Sequence, residues 1–174
     1  MRRSASSTAV NVEAKSASDD RKDAGEMRIV ANNKKARHDF FIEETYEAGI
    51  SLTGTEIKSV RQGKVSIKES YAKIENEEII LYGMNISSYE QGNRFNAEPV
   101  RPRKLLMHKR EIMRLFGKVK QDGYALIPLS VYFKGSRVKV KVGLCKGKKL
   151  YDKRQAAADR DAKRQIDRAM KERY

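Results

Sequence analysis

The sequence predicts a mainly β protein: a small antiparallel OB-like β-barrel with two or three peripheral helices and a basic C-terminal tail that becomes helical on binding. Three observations lead there. Two stretches alternate apolar and polar residues with a period of two, at 38–52 and 137–142. The helical signals are short and lie between strand runs. The last 29 residues are rich in charge and offer little to bury.

Residues 1–27 are mostly Ser, Ala, Asp and Lys and cannot offset the entropy of ordering, so they are expected to form a disordered extension. The pattern changes at Arg28. From His38 the even positions run His38, Phe40, Ile42, Glu44, Tyr46, Ala48, Ile50 and Leu52, one largely apolar face of a long strand. Gly49 fits a bend of the kind a barrel strand needs. Thr53-Gly-Thr-Glu56 has capping-box spacing and opens a short helix to about Arg61, stopped by Gly63. Its Ile57 and Val60 point inward, and Lys58 and Arg61, three apart, share the outer face.

Tyr71–Glu75 and Glu78–Tyr82, joined through Asn76-Glu77, read as a hairpin. Residues 89–104 carry Gly92, Asn93, Asn96, Pro99 and Pro102 and read as an irregular loop. Leu105, Leu106, Ile112, Met113, Leu115 and Phe116 suggest a second helix, closed by Gly117. Tyr124–Phe133 is a strand in which Pro128 implies an edge or a bulge. In Arg137–Val142 the valines must be buried, which sets Arg137, Lys139 and Lys141 in an outward row. The barrel therefore spans 28–149 and the tail 150–174.

The chain has 38 Lys+Arg against 23 Asp+Glu, a formal charge of +15, so a polyanion is the natural partner. Among small barrels, the OB type is the usual nucleic-acid binder, a step made by analogy of fold. Lys146 to Tyr174 carry a net +6 in 29 residues, as much as the 109 residues from 37 to 145. Arg160, Arg164 and Arg168 recur every four residues and align on one helical face. Ala162, Ile166, Ala169 and Met170 make too small an apolar stripe to dock firmly on a core, or to enter a membrane. The tail is expected to be disordered when free and to fold when its arginines meet phosphates. A solvated charged extension without a role is the plain alternative.

A lone Cys145 excludes an internal disulfide and a thiolate metal cluster and reads as a buried thiol. Two histidines, His38 and His108, argue against a metal site, and no cofactor is indicated. No apolar run approaches membrane-spanning length and the N-terminus lacks a signal h-region; the reading is a cytoplasmic protein with no membrane partner.

Asn33-Lys-Lys-Ala-Arg-His38-Asp, Tyr46-Glu-Ala-Gly-Ile50, Gly54-Thr-Glu-Ile-Lys-Ser59, Arg101-Pro-Arg-Lys-Leu-Leu106 and Gly147-Lys-Lys-Leu-Tyr-Asp-Lys-Arg154 resemble, in order, the signature blocks of the SmpB family of SsrA-binding proteins. The likeness runs from about Arg28 to the C-terminus. It implies an OB-like barrel that binds the tRNA-like domain of tmRNA (SsrA RNA) and delivers it to stalled 70S ribosomes for trans-translation. The tail would occupy the decoding centre and mRNA channel against small-subunit rRNA. Elongation factor Tu on the charged tmRNA is a further expected partner, and the protein is expected to be a monomer. Gln155, where Glu often follows the Asp-Lys-Arg motif, is a small departure that a capping box tolerates.

By position, Asn33, His38 and Glu47 match family residues that support tmRNA binding. With Lys34, Lys35, Arg37, Lys58 and Arg61 they form the expected tmRNA site. Each has a plainer reading: Asn33 a turn residue, His38 a half-buried strand-edge ring, Glu47 a salt bridge to Lys58 or Arg61. Lys148, Lys149, Tyr151, Asp152, Lys153 and Arg154, with Arg160, Lys163, Arg164 and Arg168, form the expected ribosome-binding tail. Tyr151 would stack on an exposed base or else pack on the barrel. Asp152, with Gln155 three residues on, fits a helix cap better than an RNA contact.

Two other classes compete. An RNA-cleaving enzyme would pair His38 with Glu47, helped by Lys58. Nine residues apart on one strand, those two face opposite sides and lie about 30 Å apart. A ribosomal or general single-strand RNA-binding protein would share the barrel and charge without preferring tRNA-shaped RNA.

Overall fold

The structure, a computed structural model, describes residues 27–171. Nine strands are present: β1 (Met27–Asn32), β2 (Phe40–Ile50), β3 (Val65–Ser66), β4 (Tyr71–Glu75), β5 (Glu78–Tyr82), β6 (Asn85–Ile86), β7 (Arg103–Leu106), β8 (Ala125–Lys134) and β9 (Arg137–Gly147). Four α-helices accompany them: α1 (Lys34–Asp39), α2 (Gly54–Arg61), α3 (Lys109–Asp122) and α4 (Leu150–Lys171), with a 3₁₀ segment at Glu90–Phe95. Every pairing is antiparallel. The large sheet runs β1-β8-β4-β5-β7-β2-β9, and β9 pairs again with β8, so six strands close into a ring with β1 added outside. This is the OB-like barrel the sequence predicts.

Local chemistry explains most elements. Thr53 and Glu56 form the capping box of α2: the Glu56 carboxylate accepts from the Thr53 amide at 2.8 Å. Asn76 and Glu77 take φ of 48° and 61°, the left-handed pair that a two-residue hairpin turn requires. At Pro128 the β8–β9 register shifts by a bulge. Before it β8 meets β4, after it β8 meets β1, so the imide without an N–H sits where the strand changes neighbours.

Three readings need correction. His38 lies in α1, not on a strand; β2 begins only at Phe40, because Asn33 caps a helix across Lys34–Asp39. Residues 103–106 form β7, not part of a loop or helix: Leu105 is buried and Leu106 exposed, the alternation of a strand. α3 does not stop at Gly117 but runs on to Gly123, whose φ of 66° ends it.

The main core gathers Ala48, Val60, Ile79, Leu81, Leu105, Leu115, Val131, Val140, Val142 and Leu144. A second, smaller cluster lies outside the barrel under α1: Ala36, Ile127, Leu129 and Cys145, with Phe40 and Ile42. A bulge in β2 between Ile42 and Glu44 makes both possible. It turns Phe40 and Ile42 toward the outer cluster, while Tyr46, Ala48 and Ile50 serve the barrel interior. Burial pushes the Cys145 thiol up to about 11, so it is inert at neutral pH.

Candidate nucleic-acid interface

The site is built around α1, and α1 is built around Asn33. Its carboxamide oxygen accepts from the Ala36 amide at 3.0 Å, and its nitrogen donates to the carbonyls of Ile67 and Pro128, both at 3.1 Å. Asn33 is 2% exposed, so every polar atom of its side chain is spent inside the protein. The helix it starts is stapled down through Ala36 and holds Lys34, Lys35, Arg37 and His38 exposed. Lys35 is paired with Glu69 at 3.1 Å, and the His38 ring contacts the Asp39 carboxylate at 2.9 Å.

Beside α1, the outer surface of β1, β2, β8 and β9 forms a groove of about 590 Å³ whose lining includes Arg37, Ile42, Thr45, Glu47, Tyr132 and Lys141. Glu47 is its anionic centre. The Tyr132 hydroxyl donates to it at 2.5 Å, and Lys134 and Lys139 approach to 3.5 and 3.8 Å. The ion pair with Lys58 or Arg61 considered from sequence is not formed, because the outward cations of β8 and β9 lie nearer. The hydrogen bond from Tyr132, then the two lysines, outweigh partial burial and hold the Glu47 carboxyl below the ordinary range. Glu47 is therefore an ionised acceptor ringed by cations.

Glu47 and Lys139 also line a second hollow with Leu106, Met107, His108 and Glu111. Leu106 is 53% exposed, an apolar face beside a charged acceptor. Sequence reading missed it, though a signal existed: two adjacent leucines in a strand cannot both face the core.

The tail joins the barrel next to α1. The Lys148 amide donates to Asp39 O at 2.9 Å, its ammonium reaches Arg37 O at 3.3 Å, and that ammonium stands 4.8 Å over the Phe41 ring. From there α4 extends with Arg154, Arg160, Lys163, Arg164 and Arg168 exposed; Arg164 approaches Asp161 at 3.6 Å. The helix starts at Leu150, so Asp152 stands in its first turn rather than at its cap. The side chains of Tyr151, Asp152 and Lys153 lie outside the described residues, and with them the stacking role considered for Tyr151.

Arg37, Glu47 and the start of the tail are thus brought to one surface, with His38 exposed next to Arg37 in α1. Lys58 and Arg61 are not. They lie on α2, at the far end of β1, where Arg28 donates to Arg61 O at 3.4 Å. His38 and Glu47 share no polar partner among those the structure gives either residue. Among the described residues no cluster of three His, Cys, Asp or Glu could hold a metal, and no helix is long and apolar enough to cross a membrane.

Comparison with known proteins meets this geometry. The family described as SmpB protein matches residues 30–172. The chain is 61% identical over 147 residues to the SsrA-binding protein of Carboxydothermus hydrogenoformans, covering 84% of this chain and 99% of that one. It is 63% identical to the SsrA-binding protein of Ruminiclostridium cellulolyticum, covering 84% and 95%. Among solved structures it resembles a chain of "tmRNA-SmpB: a journey to the center of the bacterial ribosome", at 51% identity and a TM-score of 0.58, over 68% of this chain and 84% of that one. With the family match running from β1 to the end of α4 on an OB-like barrel, this chain belongs to the SmpB family of SsrA-binding proteins.

Proposed function

We propose that this chain binds the tRNA-like domain of tmRNA and carries it to stalled ribosomes for trans-translation. The observation that carries the reading is continuity: Arg37 of α1, the Glu47 groove and the root of the tail occupy one surface. Lys34, Lys35, Arg37 and His38 meet phosphate and base edges. Glu47 accepts from base amino groups or ribose hydroxyls and repels phosphate, so it selects a particular placement of the RNA. Leu106 packs against an unstacked base beside it. Asn33 serves this surface by position, fixing α1, and touches no RNA.

The tail takes the second half of the task. Disordered in the free protein, it folds as Lys148, Lys149, Lys153, Arg154, Arg160, Lys163, Arg164 and Arg168 meet rRNA phosphates in the decoding centre and mRNA channel. Ile166 and Met170 are over half exposed, so little core holds α4 in place. The protein acts as a monomer, beside elongation factor Tu on the charged tmRNA.

A gel shift with the tRNA-like domain, competed by a random single strand, tests the first half: the tRNA-like domain should win. Equal competition would mark a general single-strand binder instead. Truncation after Lys149 tests the division of labour. Binding of tmRNA should survive and peptide tagging on ribosomes should vanish; loss of RNA binding would refute the split. Circular dichroism of the free chain against the truncated one reads the tail, and a full helical contribution without RNA would count against folding on contact.

A further inference from the structure

Lys58 and Arg61 lie away from α1, but they are not isolated. The loop after β6 folds back along α2 and is built with some strain. Asn93 takes φ 45° and ψ −123°, a conformation costly for any residue with a Cβ. At Gly92 a Cβ would stand 2.6 Å from the Asn96 carboxamide oxygen, so a side chain there would push the Asn96 carboxamide out of its place. Asn96 locks the loop, accepting from the Tyr89 amide at 3.0 Å and donating to its carbonyl at 2.8 Å. The Thr55 hydroxyl pins the far side through Phe95 O at 3.2 Å.

The result is a stripe along the outer face of α2. Phe95, 70% exposed, carries the Arg94 guanidinium 5.0 Å from its ring centre. Tyr89 lies next, with the Lys58 ammonium 5.3 Å over its ring. Arg61 and Arg28 follow at the rim of a hollow floored by Met27 and Phe133. Each of the two rings has a cation over it, and two more cations stand at the adjoining hollow. The nearby acid, Glu90, is paired with Lys64 at 3.0 Å, and Glu56 is buried behind Arg101 and Arg103. Water solvates cations well but gains nothing from a fixed, exposed phenylalanine. Rings set between cations suit unpaired nucleotides, whose bases stack while their phosphates pair.

We infer that this stripe is a second RNA-contacting surface, which takes an unpaired stretch of the same tmRNA held in the Glu47 groove. The inference rests on the function proposed above. Its link to that site is Met27, which lines both the Glu47 groove and the Arg28–Arg61 hollow, so one RNA can cross β1 from one to the other. A basic stripe repels a cationic protein partner, and its charge points to a polyanion.

The chain contains no tryptophan, which makes a direct test possible. In Phe95→Trp, tryptophan emission should be quenched as the tRNA-like domain is added, saturating together with the gel shift. Phe95→Ala should weaken that complex roughly five-fold or more, the loss of one stacked base. Lys58→Ala and Arg94→Ala should each lower the slope of log affinity against log salt by about 0.7. All three side chains are on the surface, and unchanged circular dichroism confirms the fold. A normal gel shift with constant emission and unaltered Phe95→Ala affinity would overturn the stripe and leave the proposed function standing. Quenching by vacant ribosomes but not by the tRNA-like domain would overturn the choice of RNA. Absence of any shift with the parent chain would overturn both readings.

Discussion

Arginine does opposite work in the barrel and in the tail. Arg103 has no exposed side-chain surface. It donates to Glu56 at 3.0 Å and to the carbonyls of Met84, Arg101 and Pro99 at 2.6, 3.1 and 3.0 Å. Arg101 holds the other oxygen of Glu56 at 2.7 Å. Arg160, Arg164 and Arg168 on α4 project into solvent. The same guanidinium is a structural clamp where five donors can be satisfied inside, and on the exposed face of a helix it is open to a proposed phosphate partner. A count of basic residues therefore does not map an RNA interface; internal hydrogen bonds must be subtracted first.

The largest effect should come from breaking the clamp. Arg103→Ala leaves the Glu56 carboxylate short of one partner and several buried carbonyls without donors. Such a loss costs about 3–5 kcal/mol. The midpoint of urea unfolding should fall accordingly, and RNA binding should fail only as far as the chain unfolds. A variant that kept its midpoint while losing tmRNA would turn Arg103 into a binding residue and erase the contrast.

The clamp was invisible to sequence reading, and the reason is physical. Arg101-Pro-Arg103 reads as a basic loop because its neutraliser, Glu56, is 45 and 47 residues away. Where partners are close in sequence, pattern is enough: the Thr53–Glu56 box, the Asn76-Glu77 turn and the Val138–Val142 alternation all stand in the structure. Where a bulge or a distant contact decides, pattern is not enough. The sequence pattern carries no sign of the β2 bulge, and it sets Glu47 against the α2 cations, whereas its partners come from β8 and β9. The candidate residues are legible as motif, then, and their grouping into surfaces is not.

Asn33 stands between the two extremes. Removing its carboxamide in Asn33→Ala uncaps α1 and strands the carbonyls of Ile67 and Pro128, at a cost of about 2–3 kcal/mol. Thermal unfolding should report that loss. The affinity for the tRNA-like domain should drop as well, because Lys34, Arg37 and His38 lose their platform. Asn33→Asp should restore the cap but not the two donated bonds, recovering only part of each quantity. Full recovery would mean the amide nitrogen does nothing for the fold.

Acid separates the regions without mutation. Burial alone would raise the Glu56 pKa, but hydrogen bonds from Arg101, the Thr53 amide and Arg103 outweigh it and the net shift is downward. A carboxyl whose folded pKa is depressed contributes stability that is complete above its unfolded value, near 4.5, and fades as pH falls through the folded one. Glu47, also lowered, adds in the same direction. Stability followed from pH 6 downward should be flat at first and decline below about pH 4.5, and it should decline less in Glu56→Gln, which starts less stable.

The smallest change in stability belongs to the tail. Replacing Arg160, Arg164 and Arg168 together by Gln removes three charges that contribute nothing to the core, and the unfolding midpoint should stay within about 0.5 kcal/mol of the parent. Binding to ribosomes is where the proposed role of these arginines should show. Each phosphate left without its arginine takes about 0.7–0.9 from the slope of log affinity against log salt, so the triple variant should fall by about 2–3 while its affinity for the isolated tRNA-like domain holds. A fall shared equally by both RNAs would place the tail on the barrel's own interface. A fall in neither would make α4 a solvated extension, and the contrast between clamped and exposed arginine would then separate stability from solubility rather than fold from function.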